Sequence, residues 1–336
     1  VIAVPLLHID NLTVRFDTDE GLLTAVDGVG FHVDEGERVG LVGESGCGKT
    51  VTALAIPRLI PCPPGRIESG KVMFSGIDLV RADPKTLYRI RGNRISMIFQ
   101  DPLSALSPLM RIEDQMIELL RFHKDIPRKK AQHLASDWLG KVGIPDPEKR
   151  LRAYPYQLSG GMQQRVMIAM ALMLSPDLVI ADEPTTALDV TTQAQIFELM
   201  SRMTANRTAI LLITHDMGVV WETCDRVVVM YAGRVVETGN LKDIFFNAAH
   251  PYTRGLLSAI PRLSRHRKRL PEIRGQVPSP LSFPAGCHFH DRCEHAFPRC
   301  KTEKPRLVEV GKGHMAACFL LDDLPGPVFH GQGGRK

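Results

Sequence analysis

The 336-residue chain contains no run of about eighteen apolar residues, so it is not expected to cross a membrane by itself. Its apolar start, Val1-Ile2-Ala3-Val4-Pro5-Leu6-Leu7, lacks the basic stretch and small-residue cleavage site of a secretory signal, and the expected location is the cytoplasm. A large charge of either sign is also missing, since 42 Lys and Arg against 37 Asp and Glu give a formal +5 and a pI near 8.8. The single basic cluster, Arg262 to Arg269, has no interleaved aromatic residues and reads as a solvated linker rather than a nucleic-acid surface. Sustained heptads are absent, which argues against a long coiled coil. What is present is ordinary for a globular protein of about two domains: 44% hydrophobic and 24% charged residues.

The chain is organised around Gly43-Glu44-Ser45-Gly46-Cys47-Gly48-Lys49-Thr50, which matches the phosphate-binding loop G-x-x-x-x-G-K-[ST] at every fixed position. Arg38 to Val42 before it predicts a buried strand, and Thr52 to Ile56 after it opens a helix. The glycines let successive N–H groups turn inward, and the helix N-terminus adds its partial positive charge, which makes a cup for polyphosphate. Lys49 would reach the β- and γ-phosphates, and the Thr50 hydroxyl would complete a magnesium shell. The plain alternative is a glycine-rich turn.

Residues Leu6 to Val33 read as strands, and Phe16 is placed against an adenine ring or, equally, in the sheet. Two further strands, Gly70 to Phe74 and Ile95 to Phe99, precede Gln100. A helical segment then runs to about Pro176 and includes helices over Glu113 to Phe122 and Lys129 to Val142. It ends in Leu158-Ser159-Gly160-Gly161-Met162-Gln163-Gln164-Arg165. Met162, Val166, Ala169, Met170 and Met173 recur at helical spacing behind Ser159, so Ser159, Gly160 and Gly161 are expected to start an amphipathic helix whose N-terminus can bind an anion.

Leu178-Val179-Ile180-Ala181 is apolar at every position, as in a central parallel strand, and delivers Asp182 and Glu183 to its carboxyl end. Asp182 would hold magnesium and Glu183 would polarise the attacking water, a role that contributes about 10²–10⁴-fold to rate. Thr186-Ala187-Leu188-Asp189 and a helix follow, and a strand over Thr208 to Ile213 ends near His215, at the same sheet edge as Lys49, Gln100 and Glu183. A hairpin over Val227 to Glu237 and a helix from Lys242 to Phe246 close the pattern, and near residue 250 the composition shifts. Of seven cysteines, Cys287, Cys293, Cys300 and Cys318 crowd the end, with five, six and seventeen residues between them. In a reducing compartment that points to metal rather than disulfides. The spacing leaves zinc, with help from His288, His290, His295 or His314, and a [4Fe–4S] cluster nearly even, with four unmetallated buried cysteines as the plain third option. A metal there would staple a small lobe that lacks a core.

This order of motifs resembles the ATP-binding subunits of ABC transporters over residues 6 to 250. The tail, His250-Pro251-Tyr252-Thr253-Arg254-Gly255-Leu256-Leu257, Ile273 to Ser279 and the cysteine segment, is similar to the C-terminal region of dipeptide and oligopeptide importer ATPases. The resemblance implies an α/β P-loop fold with a RecA-like core, an N-terminal β subdomain and a helical insert at about 101–176, together forming residues 1–250. A small irregular metal-binding domain then covers residues 251–336. It implies ATP and Mg²⁺ as cofactors, with Thr50, Gln100 and Asp182 around the metal. Glu183 is the implied base, with His215 and Gln100 beside it. Ser159 and Gly161 of one subunit would close on ATP held by another, with Asp189 at that interface. The same resemblance tips the four cysteines toward [4Fe–4S], with Zn²⁺ as the alternative. The implied partners are a related, non-identical ATPase chain, two integral membrane permease subunits and, through the complex, a peptide-binding protein, at the cytoplasmic face of the inner membrane. The alternative is a soluble ABC ATPase acting on nucleic acid or ribosomes. Such proteins carry two nucleotide domains or a long coiled coil, and this chain has neither.

Overall fold

The computed structural model describes residues 4–185, 190–204, 208–259 and 272–322, with only the backbone of 190–192. Asp189 with the rest of its motif, and the basic cluster at 262–269, lie outside the described residues. The strands are β1 (Leu7–Thr18), β2 (Gly21–Val33), β3 (Arg38–Val42), β4 (Gly65–Phe74), β5 (Ile77–Asp78), β6 (Ile95–Ile98) and β7 (Leu178–Asp182). They continue with β8 (Ala209–Thr214), β9 (Arg226–Tyr231), β10 (Arg234–Asn240), β11 (Val308–Gly311) and β12 (His314–Ala316). Among the described residues they form a four-stranded sheet, β2-β1-β4-β5, and an eight-stranded sheet, β11-β12-β10-β9-β3-β8-β7-β6.

The large sheet is parallel from its β6 edge through β7, β8 and β3 to β9. The interiors of these strands are largely apolar because both faces are covered. Alternation divides them between two cores. Val179, Ala181, Ile210, Leu212, Val227 and Val229 join the helices on one face. Leu178, Ile180, Leu211, Ile213, Val228 and Met230 pack on the other face with Leu7, Ile9, Leu12 and Val14 of the antiparallel sheet. Each such side chain contributes about 1.5–3 kcal/mol when fully buried.

The helical insert places Ile112–His123 and Arg128–Lys141 against each other and against the helix Gly160–Leu172. The second of these buries Ala131, Ala135 and Leu139, spaced four apart on one face. Helix Gly160–Leu172 departs from the expected amphipathic pattern. Gln163, Gln164, Val166, Met167, Ile168, Ala169, Ala171 and Leu172 are all buried, so the helix is covered on nearly every side, whereas Met162 and Met170 of the expected apolar face are only half-buried.

The cysteine-bearing segment does not form a lobe without a core, as the composition suggested. Strand β12 extends the edge of the large sheet by pairing antiparallel with β10. Phe289 packs on Tyr231 and Tyr252, with ring centroids 5.1 and 5.4 Å away, inside the same apolar cluster as β7 and β8. Fading periodicity hid this because the segment borrows its core from strands laid down earlier.

Candidate nucleotide site

The parallel strands deliver their carboxyl ends to one edge. Register pairs Val42 of β3 with Thr214 of β8, and Ile213 of β8 with Asp182 of β7, so the phosphate loop, His215 and the Asp182-Glu183 pair follow one another across the sheet. Gln100 follows β6 at the same edge. Two loop positions require glycine. Gly43 and Gly48 have φ of +155° and +100°, and a Cβ would strike the Met230 carbonyl at the first and the Ala25 carbonyl at the second.

Lys49, only 5% exposed, folds back into the loop: its Nζ donates to the carbonyls of Gly43 at 2.8 Å and Glu44 at 3.0 Å. These are neutral acceptors that anionic phosphate oxygens would outcompete. Thr50 Oγ1 donates to Asp182 Oδ1 at 3.2 Å. Asp182 is 3% exposed, and burial pushes its carboxyl above the ordinary range, opposed by the Thr50 hydrogen bond and reinforced by nearby Glu183. A buried carboxylate whose charge is this costly, beside a hydroxyl, fits a small divalent cation that takes oxygen ligands.

Glu183 occupies the left-handed region at φ +43°, a costly conformation for a residue with a side chain, and its amide donates to the Ile213 carbonyl at 2.9 Å. Its carboxylate accepts from Gln100 Nε2 at 3.3 Å, and its other oxygen lies 3.2 Å from His215 Nδ1. Lys49, Thr50, Gln100, Asp182, Glu183 and His215 are thus gathered at one sheet edge. Ser45, Gly46 and Cys47 complete the loop with them, and Cys47 is buried, its thiol pushed up by desolvation.

Ser159, Gly160 and Gly161 stand apart from this group. Ser159 caps the helix by accepting from the Met162 amide at 3.4 Å, and it and Gly160 are exposed. Two glutamines brace this turn: Gln163 donates to the carbonyls of Pro155 and Leu158 at 2.8 and 3.2 Å, and Gln164 donates to the Pro184 carbonyl beside Glu183. Phe16 is half-buried, its ring against Gly65. Contacts on the loop from Tyr252 and Arg292 went unnoticed in the sequence, where no local spacing marks them.

Cys287, Cys293, Cys300 and Cys318 are free and half-buried in one segment, and the Cys287 amide donates to the Cys300 carbonyl at 2.8 Å. Burial pushes the Cys287 thiol up to about 11, and the other three thiols push the same way. Among the described residues no three His, Cys, Asp or Glu side chains are arranged to hold one metal ion. Two of the candidate histidines are engaged elsewhere, His288 Nδ1 with the Ala232 carbonyl at 2.7 Å and His314 Nε2 with Glu237 at 2.7 Å.

A glycine-rich loop between a parallel strand and a helix, with a buried lysine and carboxylates at the end of another parallel strand of the same sheet, defines a P-loop nucleoside triphosphatase. The ABC transporter family matches residues 26–186, and the C-terminal region of oligopeptide/dipeptide transporters matches residues 236–300. The chain is 49% identical over 95% of its length to a probable peptide ABC transporter ATP-binding protein, y4tR, of Sinorhizobium fredii, of which it covers 96%. It is 46% identical to the oligopeptide transport ATP-binding protein AppD of Bacillus subtilis over 95% of this chain and 97% of that one. It is also 45% identical to the dipeptide transport ATP-binding protein DppD of Escherichia coli over 96% of this chain and 99% of that one. Its fold is similar to the dimeric post-hydrolysis state of the ATP-binding cassette MJ0796 bound to ADP and Pi. The TM-score is 0.63 at 28% identity, covering 70% of this chain and 98% of that one. The chain belongs to the ATP-binding proteins of ABC transporters and is an ATPase that uses ATP with Mg²⁺.

Proposed function

We propose that this chain is the ATP-hydrolysing motor of an ABC importer for dipeptides or oligopeptides, bound at the cytoplasmic face of the cell membrane. The observation that carries the proposal is the match of residues 236–300 to the C-terminal region of oligopeptide/dipeptide transporters, in a chain that aligns along almost its whole length with peptide-transport ATPases. The match to oligopeptide/dipeptide transporters supports assigning the translocation path to two permease subunits. The second ATPase is taken to be a related, non-identical chain. Residues 1–250 are assigned to the ATPase domain and 251–336 to the C-terminal domain. The surface offered to a permease is the apolar groove lined by Leu59, Met97, Phe99, Leu106 and Met170, between the insert and the sheet and close to Gln100.

In the cycle, Lys49 exchanges the Gly43 and Glu44 carbonyls for phosphate oxygens. Thr50 and Asp182, with Gln100, would hold the magnesium ion, which would supply charge neutralisation on the phosphates. Glu183 accepts the proton of the attacking water, while Gln100 and His215 hold its carboxylate. Phe16 lies under the adenine. Ser159, Gly160, Gly161 and Asp189 serve the nucleotide across the dimer interface, where the helix N-terminus meets the γ-phosphate.

Cys287, Cys293, Cys300 and Cys318 are proposed as ligands of a [4Fe–4S] cluster. Four free thiols in one segment, close enough to raise one another's charge cost, are a suitable donor set, whereas the engagement of His288 and His314 disfavours a mixed zinc site. Binding would require the thiols to close further on one another.

The test is purification of the intact complex through this chain, under anaerobic conditions. Recovery with two integral membrane proteins, peptide-stimulated ATPase activity and about four irons per chain are expected. Recovery with ribosomes in place of membrane proteins would refute the motor assignment, and zinc without iron would refute the cluster.

A further inference from the structure

The second residue of the phosphate loop is held from outside the loop. Arg292 donates from Nη1 and Nη2 to the two carboxylate oxygens of Glu44, at 2.6 and 3.1 Å, across 248 positions of sequence. The Glu44 amide donates to the Tyr252 hydroxyl at 2.9 Å. Arg292 is itself fixed. Its Nε donates to the Arg274 carbonyl at 2.9 Å and its Nη2 to the Ile273 carbonyl at 3.0 Å, and the guanidinium lies over the rings of Tyr231 and Phe289 at 5.7 and 6.0 Å. With the Arg292 side chain 5% exposed and that of Glu44 partly exposed, this is a partly desolvated, bidentate pair that a lysine could not reproduce.

Glu44 is otherwise a liability. A carboxylate in a loop built for polyphosphate repels its ligand, and at 29% exposure solvent screens that repulsion only in part. The backbone shows how the conflict is handled: the Glu44 carbonyl faces Lys49 Nζ while its side chain is drawn to Arg292. We propose that Arg292 is a positioning residue for nucleotide binding, which neutralises the Glu44 carboxylate and holds it away from the phosphate loop. The proposal rests on the assignment of Gly43 to Thr50 as the nucleotide site. Arg292 directly precedes Cys293, so this side chain ties the cysteine-bearing segment to the phosphate loop.

The test measures binding of N-methylanthraniloyl-ATP with magnesium to the full chain, in wild type, Arg292→Met, Glu44→Gln and the double variant. Arg292→Met should bind about tenfold more weakly, by a margin that shrinks as salt rises, because the defect is an uncompensated charge. Adding Glu44→Gln should restore affinity to within about threefold of wild type, a rescue that loss of packing alone would not give. Should Arg292→Met not fold, Arg292→Gln takes its place, with a similar loss and the same rescue. Wild-type affinity in a folded Arg292→Met, or no rescue by Glu44→Gln, overturns the proposal. Lys49→Ala separates the two levels of inference. If it loses binding while Arg292→Met does not, only the role of Arg292 fails; if it binds like wild type, the nucleotide site itself is wrong and the proposal falls with it.

Discussion

The Thr50 hydroxyl donates to the Asp182 carboxylate at 3.2 Å, although 132 positions of sequence separate them. The contact exists because β3 and β7 flank β8 in parallel register, so the phosphate loop and helix that follow β3 share an edge with Asp182, the last residue of β7. Burial makes the Asp182 charge expensive in the absence of a cation, and its carboxyl is correspondingly held above the ordinary range.

That cost yields a two-sided prediction for Asp182→Asn. With a folded pKa above the unfolded one, ionised Asp182 destabilises the nucleotide-free protein once pH exceeds both values. The amide should therefore leave the nucleotide-free thermal midpoint at neutral pH equal or higher, while abolishing the magnesium dependence of ATP binding. Retention of that dependence would remove Asp182 from the metal site.

Glu183→Gln should preserve ATP and magnesium binding, since Lys49, Thr50 and Asp182 remain. Hydrolysis should fall by about 10²–10⁴-fold, as expected on losing a general base. The nucleotide-bound dimer should accumulate, readable by size-exclusion chromatography. Wild-type turnover in a complex whose second site is also disabled would assign the base elsewhere.

Gly161→Asp tests the exposed helix start. It adds a negative charge where a γ-phosphate is expected from the opposing subunit, so ATP binding by the isolated chain should be little changed while closure fails. ATP-driven dimerisation at wild-type levels would leave Ser159 and Gly161 as a helix cap and nothing more.

The sequence made the phosphate loop legible because its chemistry is contiguous. It also made β7 legible, because a strand covered on both faces shows as an unbroken apolar run at Leu178 to Ala181. The gathering of Gln100, Glu183 and His215 followed from strand ends sharing an edge, without any knowledge of strand order. The Glu44–Arg292 pair had no comparable signal, since nothing local at either residue encodes a contact across 248 positions. The burial of Gln163 and Gln164 was equally hidden: polar side chains on a helix suggest solvent until their carbonyl partners at Pro155, Leu158 and Pro184 are known. The docking of β12 on β10 was missed for the same reason, because edge pairing depends on register set elsewhere in the sheet.

That docking rests on a buried charge. Glu237, fully buried on β10, lies 2.7 Å from His314 Nε2 on β12 and accepts the backbone amides of Ala249 and His250, the latter at 3.0 Å. Burial alone would raise its carboxyl, but these hydrogen bonds, His314 first, hold it below the ordinary range. The stabilisation is therefore complete above the unfolded carboxylate pKa, about 4.3, and is lost as pH falls through the lower folded value. Glu237→Gln removes the charge but keeps the shape, and should cost about 3 kcal/mol at neutral pH by leaving charge-assisted hydrogen bonds unmade. Denaturant titrations should show the gap between variant and wild type narrowing as pH drops below the ordinary carboxylate value. In the variant, limited proteolysis should cut first in the β11–β12 hairpin, whose hold on the sheet is then reduced to backbone pairing with β10. A gap that stayed constant down to the lowest accessible pH would show that Glu237 acts through packing and not through its charge.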